Sequence, residues 1–414
     1  MSESAFRQSL QLLATRRFGT YWFATLLANI GTWAQQVAQP WLMLTLGASP
    51  FLLGVDAFAM GAPALLLTLV GGHLADRSDR RRVIALFQTV QMVCPVLLVV
   101  LILTDAATPW VVIATSLVVG VTDALSMPSF QSIVPSIVPR EQIPTGIALN
   151  STQFNLSRIL GPAVAGVLMG SVGAAGAFAV SAASYVPFIA VALWVLPRTL
   201  PGQVSDIRVD YRALWGSVRE VVREPALRGA LLTVLTTATL CTPLITFCPV
   251  LVKEVFRSGV SHFSLSIGAF GVGGLMGGLA LLGVDPLRDR RGISAWMAVG
   301  FALVVMAAAL NGWAMMLPVL LAAGGICMTA SNASANAMLQ SAAPARIRGQ
   351  TVSLFMLAMR GGMALGSLIS GITVSVWGVR EALLVNGLLA LLLQLLIGRV
   401  WRQAPLPPEA IISN

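Results

Sequence analysis

Asp56, Asp123, Arg158 and Arg360 each stand inside a long apolar run of this 414-residue chain. An ionisable group in such a run is costly, so each is a candidate for function. A carboxylate there can carry a proton or neutralise a neighbouring arginine. For Asp56, proton coupling competes with an interfacial or loop-capping role. Asp123 either carries protons or latches onto the arginines of 77–82, and the latch is the preferred reading. Arg158 and Arg360 keep their charge. Each needs an acid, backbone carbonyls, water or an anionic ligand. Two arginines against two acids leave room for an anionic or electron-rich cargo.

Uncharged polar residues gather in three of these runs. The first carries Asn29, Thr32, Trp33, Gln36 and Pro40 at near-helical spacing, with Gln35 and Gln39 beside them. The tenth carries Asn332, Asn336 and Gln340 on an i, i+4, i+8 face, and the seventh carries Thr233, Thr236, Thr237, Thr242 and Thr246. Amides facing lipid are expensive, so they line a wet cavity or bond between helices. The candidate substrate cavity comprises Asn29, Trp33, Gln36, Gln39, Asn155, Arg158, Thr237, Asn332, Asn336 and Arg360.

The elements that hold these side chains must cross a bilayer. Hydrophobic residues make up 57% of the chain and charged residues 10%, with a mean hydropathy of +0.84; a soluble domain carries about 25% charged residues. Twelve segments are long enough to span, at roughly 18–46, 51–72, 83–103, 110–133, 145–169, 174–196, 226–252, 262–284, 292–310, 313–340, 349–374 and 380–400. Pro128, Pro135, Gly161 and Pro162 supply bends in the fourth and fifth.

Twelve crossings put both termini on one side. Of the 26 Lys and Arg, 21 lie on that side; Lys253, Arg257 and Arg380 lie opposite, and Arg158 and Arg360 lie within spans. Positive charge marks the cytoplasmic face, so both termini are expected in the cytoplasm. The same clustering assigns the net charge of +10 to membrane topology rather than to nucleic acid. The expected organisation is a six-helix bundle at 1–196, a cytoplasmic linker at 197–225, a second bundle at 226–403 and a cytoplasmic tail at 404–414. The linker's second half (Leu214, Trp215, Val218, Val221, Val222) reads as an amphipathic surface helix.

The two halves echo each other. "VPREQIPTGIALNSTQFNLSRILGPAVAG" (138–166) aligns with "APARIRGQTVSLFMLAMRGGMALGSLISG" (343–371), placing Gly161 on Gly366 and Gly166 on Gly371. "DRSDRRR" (76–82) is echoed by "DPLRDRR" (285–291). A duplicated six-helix unit is a transporter architecture.

Cys94, Cys241, Cys248 and Cys327 fall in apolar segments without metal-ligand spacing, and His73 and His262 stand at helix ends. No catalytic set, metal site or cofactor is expected, and no G-x-x-x-x-G-K-[ST] loop points to ATP.

Two motifs carry a family resemblance. In "GGHLADRSDRRRV" (71–83), Gly72, Asp76, Arg77, Arg80 and Arg81 match G-x-x-x-D-R-x-G-R-R, with Asp79 where glycine is usual. In "SRILGPAVAG" (157–166), Gly161, Pro162 and Gly166 match G-x-x-x-G-P-x-x-G-G, with Ser157 and Ala165 in place of glycines. The chain thus resembles the major facilitator superfamily, and most closely its drug and siderophore exporter branch, which holds the bacterial enterobactin exporter and macrolide efflux proteins.

The resemblance implies an all-α polytopic membrane protein with twelve transmembrane helices in two pseudo-symmetric bundles. It implies spans 1, 4, 7 and 10 around a central cavity, a helix-5 antiporter motif, and a cytoplasmic gate built from Gly72, Asp76, Arg77, Arg80 and Arg81. Asp76 is expected beside residues 346–351, with Arg77 or Arg80 reaching Asp123, when the outer side is open. The function expected is proton-coupled export of a drug, siderophore or other amphipathic metabolite by a monomer in the inner membrane. Its partners would be substrate, protons and lipid. An uncoupled facilitator, an importer and a transport-inactive sensor or scaffold remain alternatives.

Overall fold

The computed structural model describes residues 3–198, 219, 221, 223–284, 289–344 and 347–403. The described residues are helical and turn, without strands. A short amphipathic α1 (Glu3–Ala14) leads into α2 (Arg16–Thr45), α3 (Pro50–Arg77), α4 (Arg80–Leu103), α5 (Pro109–Gln131) with a one-turn α6 (Ile133–Ile137), α7 (Ile143–Ser171) and α8 (Gly173–Trp194). The second half comprises α9 (Pro225–Thr236), α10 (Val260–Ala280), α11 (Arg291–Leu310), α12 (Met316–Ala342), α13 (Arg348–Trp377) and α14 (Val379–Gln403). α9 continues to 255 through π-helical turns at Thr237–Cys241 and Leu251–Val255.

The ends follow local chemistry. Pro109 and Pro225 open α5 and α9 with a residue whose missing N–H costs nothing there. Gly378, at φ +96°, separates α13 from α14. Among the described residues, ten helical segments are long and apolar enough by composition to cross a membrane. α2 and α7 have the length but are diluted by polar side chains, Asn29 to Gln39 in α2 and Asn155 and Arg158 in α7.

The chain divides into two compact units: 1–48, 62–205 and 260–268; and 49–61, 206–259 and 269–414. Both units follow one plan. In the first, α8 packs on α2 and α4, and α7 on α2; in the second, α14 packs on α9 and α11, and α13 on α9. The first core joins Phe18, Tyr21, Trp22, Ile84, Ile133 and Phe188, with Phe130 stacked on Phe188 at 5.5 Å. The second joins Leu227, Val234, Met338, Phe355 and Trp401. The unit boundaries cut through helices: the first turns of α3 belong with α13, and those of α10 belong with α7. Most of the linker, including Leu214, Trp215, Val218 and Val222, and the 404–414 tail lie outside the described residues; Val221 is buried in the second core.

Candidate transport site

α7 carries Phe154 and Arg158 one turn apart, and α2 brings Trp33 to both. The Arg158 guanidinium lies 5.7 Å above the Trp33 ring, and Phe154 meets that ring edge-on at 5.9 Å. Gly161 permits the approach, because a Cβ there would run into the Trp33 side chain. The indole face attracts a cation. A guanidinium held this way keeps its charge and its planar donor fork, a combination suited to carboxylates and other planar anions.

The remaining amides of α2 divide into two groups. Asn29, Trp33 and Gln36 form a half-buried stripe, whereas Gln35 and Gln39 are buried. Gln35 accepts from Ser181 Oγ at 2.9 Å, and Gln39 donates to Ser116 Oγ at 2.5 Å. Thr32 Oγ1 lies 3.2 Å from the Tyr185 hydroxyl. Asn155 donates back to the Ser151 carbonyl within α7 at 2.9 Å. Gln39 is thus part of a helix–helix bond, while Asn29, Trp33 and Gln36 share the side that Arg158 faces.

In the second unit, Gln340 Nε2 donates to Asn336 Oδ1 at 3.2 Å. Among the described residues the buried Asn332 side-chain oxygen has no hydrogen-bond partner, and such a group calls for a donor such as water or substrate. Thr237 returns its hydroxyl to the Thr233 and Val234 carbonyls, both at 3.0 Å, at the first residue of a π turn. Such turns recur at functional sites. Arg360 is half-buried on α13.

Asp56 is buried on the part of α3 that packs on α13; nearby, Ser375 Oγ accepts from the Phe51 N–H at 2.8 Å. Asp123 is half-buried on α5, and a Cβ on Gly71 would meet the next two residues, Ala124 and Leu125, at 2.6 to 2.9 Å. The opening of the charged loop therefore lies against the Asp123 turn.

In the last turns of α3, a Cβ on Gly72 would meet nothing within 4 Å among the described residues. Arg77 is exposed, and Arg80 is half-buried. Asp79 caps α4 by accepting from Arg81 N–H at 3.3 Å, in an extended conformation. A carboxylate therefore replaces the usual glycine by doing an N-cap's work. Arg81 pairs with Asp79 at 3.0 Å and donates to the Leu193 carbonyl at 2.9 Å, tying the start of α4 to the last turn of α8. The echo is complete in the other unit. Arg291 pairs with Asp289 at 2.8 Å and donates to the Trp401 carbonyl at 3.2 Å. Helix C-termini leave carbonyls unpaired and favour cations. Arg81, expected in the gate, also braces α4 against α8 within its own unit. The Asp76, His73, Arg346 and Arg348 side chains lie outside the described residues.

The helix-5 motif is a packing device. A Cβ on Gly161 would meet Trp33 and the Ala34 backbone, and one on Gly166 would meet Ser264 Cβ at 2.8 Å. Their echoes behave alike: Gly366 abuts the Thr239 backbone, and a Cβ on Gly371 would meet Gly54 Cα at 3.1 Å. Pro162 is buried inside α7. Sequence reading had not singled out Phe154, Tyr185 or the brace acceptors Leu193 and Trp401. For Phe154 the i, i+4 spacing to Arg158 was an available signal.

The family profile of transmembrane secretion effectors matches residues 8–411. The staphyloferrin A transporter of Staphylococcus aureus (strain NCTC 8325 / PS 47) is 24% identical over 380 residues, covering 89% of this chain and 92% of its own length. The enterobactin exporter EntS of Escherichia coli O127:H6 (strain E2348/69 / EPEC) is 25% identical over 434 residues, covering 100% of both. The crystal structure of the nucleoside transporter NupG shares the fold, with a TM-score of 0.74 at 14% identity over 94% of this chain and 100% of that one. These relatives are transporters, not enzymes. A duplicated all-helical membrane fold, a profile match over nearly the full length and relatives that move small molecules lead to one assignment: the chain is a multi-pass membrane transporter of the major facilitator superfamily and belongs to its transmembrane secretion effector family.

Proposed function

We propose that this transporter exports a small amphipathic molecule that carries negative or electron-rich groups, by proton-coupled alternating access. The observation that carries the cargo chemistry is Arg158 stacked on Trp33 beside Phe154, which offers one cation and two aromatic faces to a ligand. Export direction draws support from the enterobactin exporter, similar over its whole length. In this reading the bundles 1–196 and 226–403 alternate in exposing Asn29, Trp33, Gln36, Arg158, Asn332, Asn336 and Arg360 to each side. Asp56 and Asp123 are the proton-coupling candidates, and Asp76, Arg77 and Arg80 close the cytoplasmic face. The charge bias of 21 basic residues to 3 supports cytoplasmic termini, and the similarity to bacterial exporters supports the inner membrane. It works as a monomer.

Uptake into inverted vesicles tests the reading, since cytoplasmic export appears there as accumulation. A panel of siderophores, macrolides and lipophilic cations is offered with and without an imposed pH gradient. Gradient-driven accumulation of an anionic member is expected, with loss on adding a protonophore. Accumulation that ignores the protonophore rejects proton coupling and leaves a facilitator.

A further inference from the structure

Where α1 turns into α2, two grooves share a wall. One, of about 500 Å³, is lined by Leu13, Thr20, Phe23, Leu27, Pro187 and Val191 and is almost wholly apolar. The other, of about 400 Å³, is lined by Gln11, Thr15, Arg16, Arg17 and Gln142 among others. Thr15 and Arg16 line both. Phe23 and Leu27 are 58% and 45% exposed; on a helix that crosses a membrane, apolar side chains this open face acyl chains. From Thr15 to Leu27 the groove follows α2 for roughly 18 Å at 1.5 Å per residue, about the depth of one leaflet of a ~30 Å hydrocarbon core. Arg16 and Arg17 are exposed, and among the described residues neither has a carboxylate within 4 Å.

A polar pocket with two guanidinium groups that form no ion pair among the described residues thus opens onto an apolar trough that runs into the bilayer. We propose that the pair of grooves binds one anionic phospholipid from the surrounding leaflet. Its phosphate sits between Arg16 and Arg17, where planar donor forks match phosphate oxygens; the Thr15 hydroxyl, donated to the Leu12 carbonyl at 2.7 Å, only lines the wall. One acyl chain lies along Phe23, Leu27 and Val191. Charge complementarity selects an anionic headgroup over a zwitterionic one, because the second positive charge of a choline headgroup meets the same arginines. The bound lipid would hold α1 against the first and sixth spans.

The test uses the full-length protein in detergent, offered equal amounts of phosphatidylglycerol and phosphatidylcholine, with retained lipid counted by native mass spectrometry. Two arginines at an anionic headgroup are expected to give a preference of roughly thirtyfold for phosphatidylglycerol. Arg16→Gln with Arg17→Gln should bring that preference close to parity. Thr20→Trp, which fills the apolar trough and leaves both arginines in place, should lower retention of both lipids. sn-Glycerol 3-phosphate should fail to displace the lipid. Displacement by this soluble ester at equal concentration means a free phosphate site and overturns the lipid assignment. An unchanged preference in the double glutamine variant, or unchanged retention in Thr20→Trp, overturns it as well.

Discussion

Arg158 has the aromatic face of Trp33 beneath it. Cation–π contacts are worth about 0.5–2 kcal/mol, so Trp33→Leu is expected to weaken substrate affinity by roughly twofold to thirtyfold. Transport KM measured against tryptophan fluorescence and thermal unfolding separates that loss from misfolding. Arg158→Lys should not rescue Arg158→Ala fully, because an ammonium lacks the planar fork; full rescue would leave only a charge requirement. Asp289 gives a pH test at the same scale. Burial raises its carboxyl, but the hydrogen bonds and charge of Arg291 outweigh that and hold it below the usual carboxylate range. A depressed folded value stabilises the protein above the unfolded value of about 3.9, and that stability is lost as pH falls through the folded value. Wild type should therefore melt above Asp289→Asn at neutral pH, with the gap closing as the medium is acidified below about pH 4. A gap that is constant down to pH 2 would remove the pair from the account. Arg158 was visible in the sequence as a charge in an apolar run. Its partnership with Trp33 was not, because nothing local to either residue specifies the other.

At the scale of helices, glycines decide which rods touch. Gly161 and Gly366 sit at matching places in the repeat, and each brings a fifth or eleventh span onto the backbone of a first or seventh. Gly366→Leu should therefore destabilise by about 1–3 kcal/mol, as overpacking does, and lower the melting temperature of the purified protein. Gly72→Ala, with nothing within 4 Å, should leave it unchanged. Equal effects in the two variants would dissolve the distinction. The repeat itself was readable, since duplicated Gly and Pro positions survive in the letters. The π turns of the seventh span were not, because Thr237–Cys241 and Leu251–Val255 carry no residue type that forces an extra residue per turn. The braces lie between these cases. "DRSDRRR" and "DPLRDRR" announced an echo, but the acceptors lie 112 and 110 residues away, at Leu193 and Trp401.

For the whole molecule, the two compact units differ from the two halves of the chain. The first turns of α3 pack on α13, with Phe51 N–H bonded to Ser375 Oγ at 2.8 Å. If the bundles alternate as proposed, that contact must open in each cycle. Phe51→Cys with Ser375→Cys should then form a disulfide on mild oxidation, with transport falling at least tenfold and returning on reduction. Transport that persists in the crosslinked protein would show that these turns stay together throughout. By itself the sequence determined the solvent, the crossings, the repeat and the chemistry of the loops. Hydropathy, charge bias and Gly–Pro spacing are properties of short stretches, and a bilayer reads them stretch by stretch. Only the tertiary structure decided which polar side chains answer one another. Gln39 meets Ser116 across 77 residues and Gln35 meets Ser181 across 146, while Trp33 is left to Arg158. In a low-dielectric interior every buried polar group must find some partner, and which one it finds depends on how the helices are brought together.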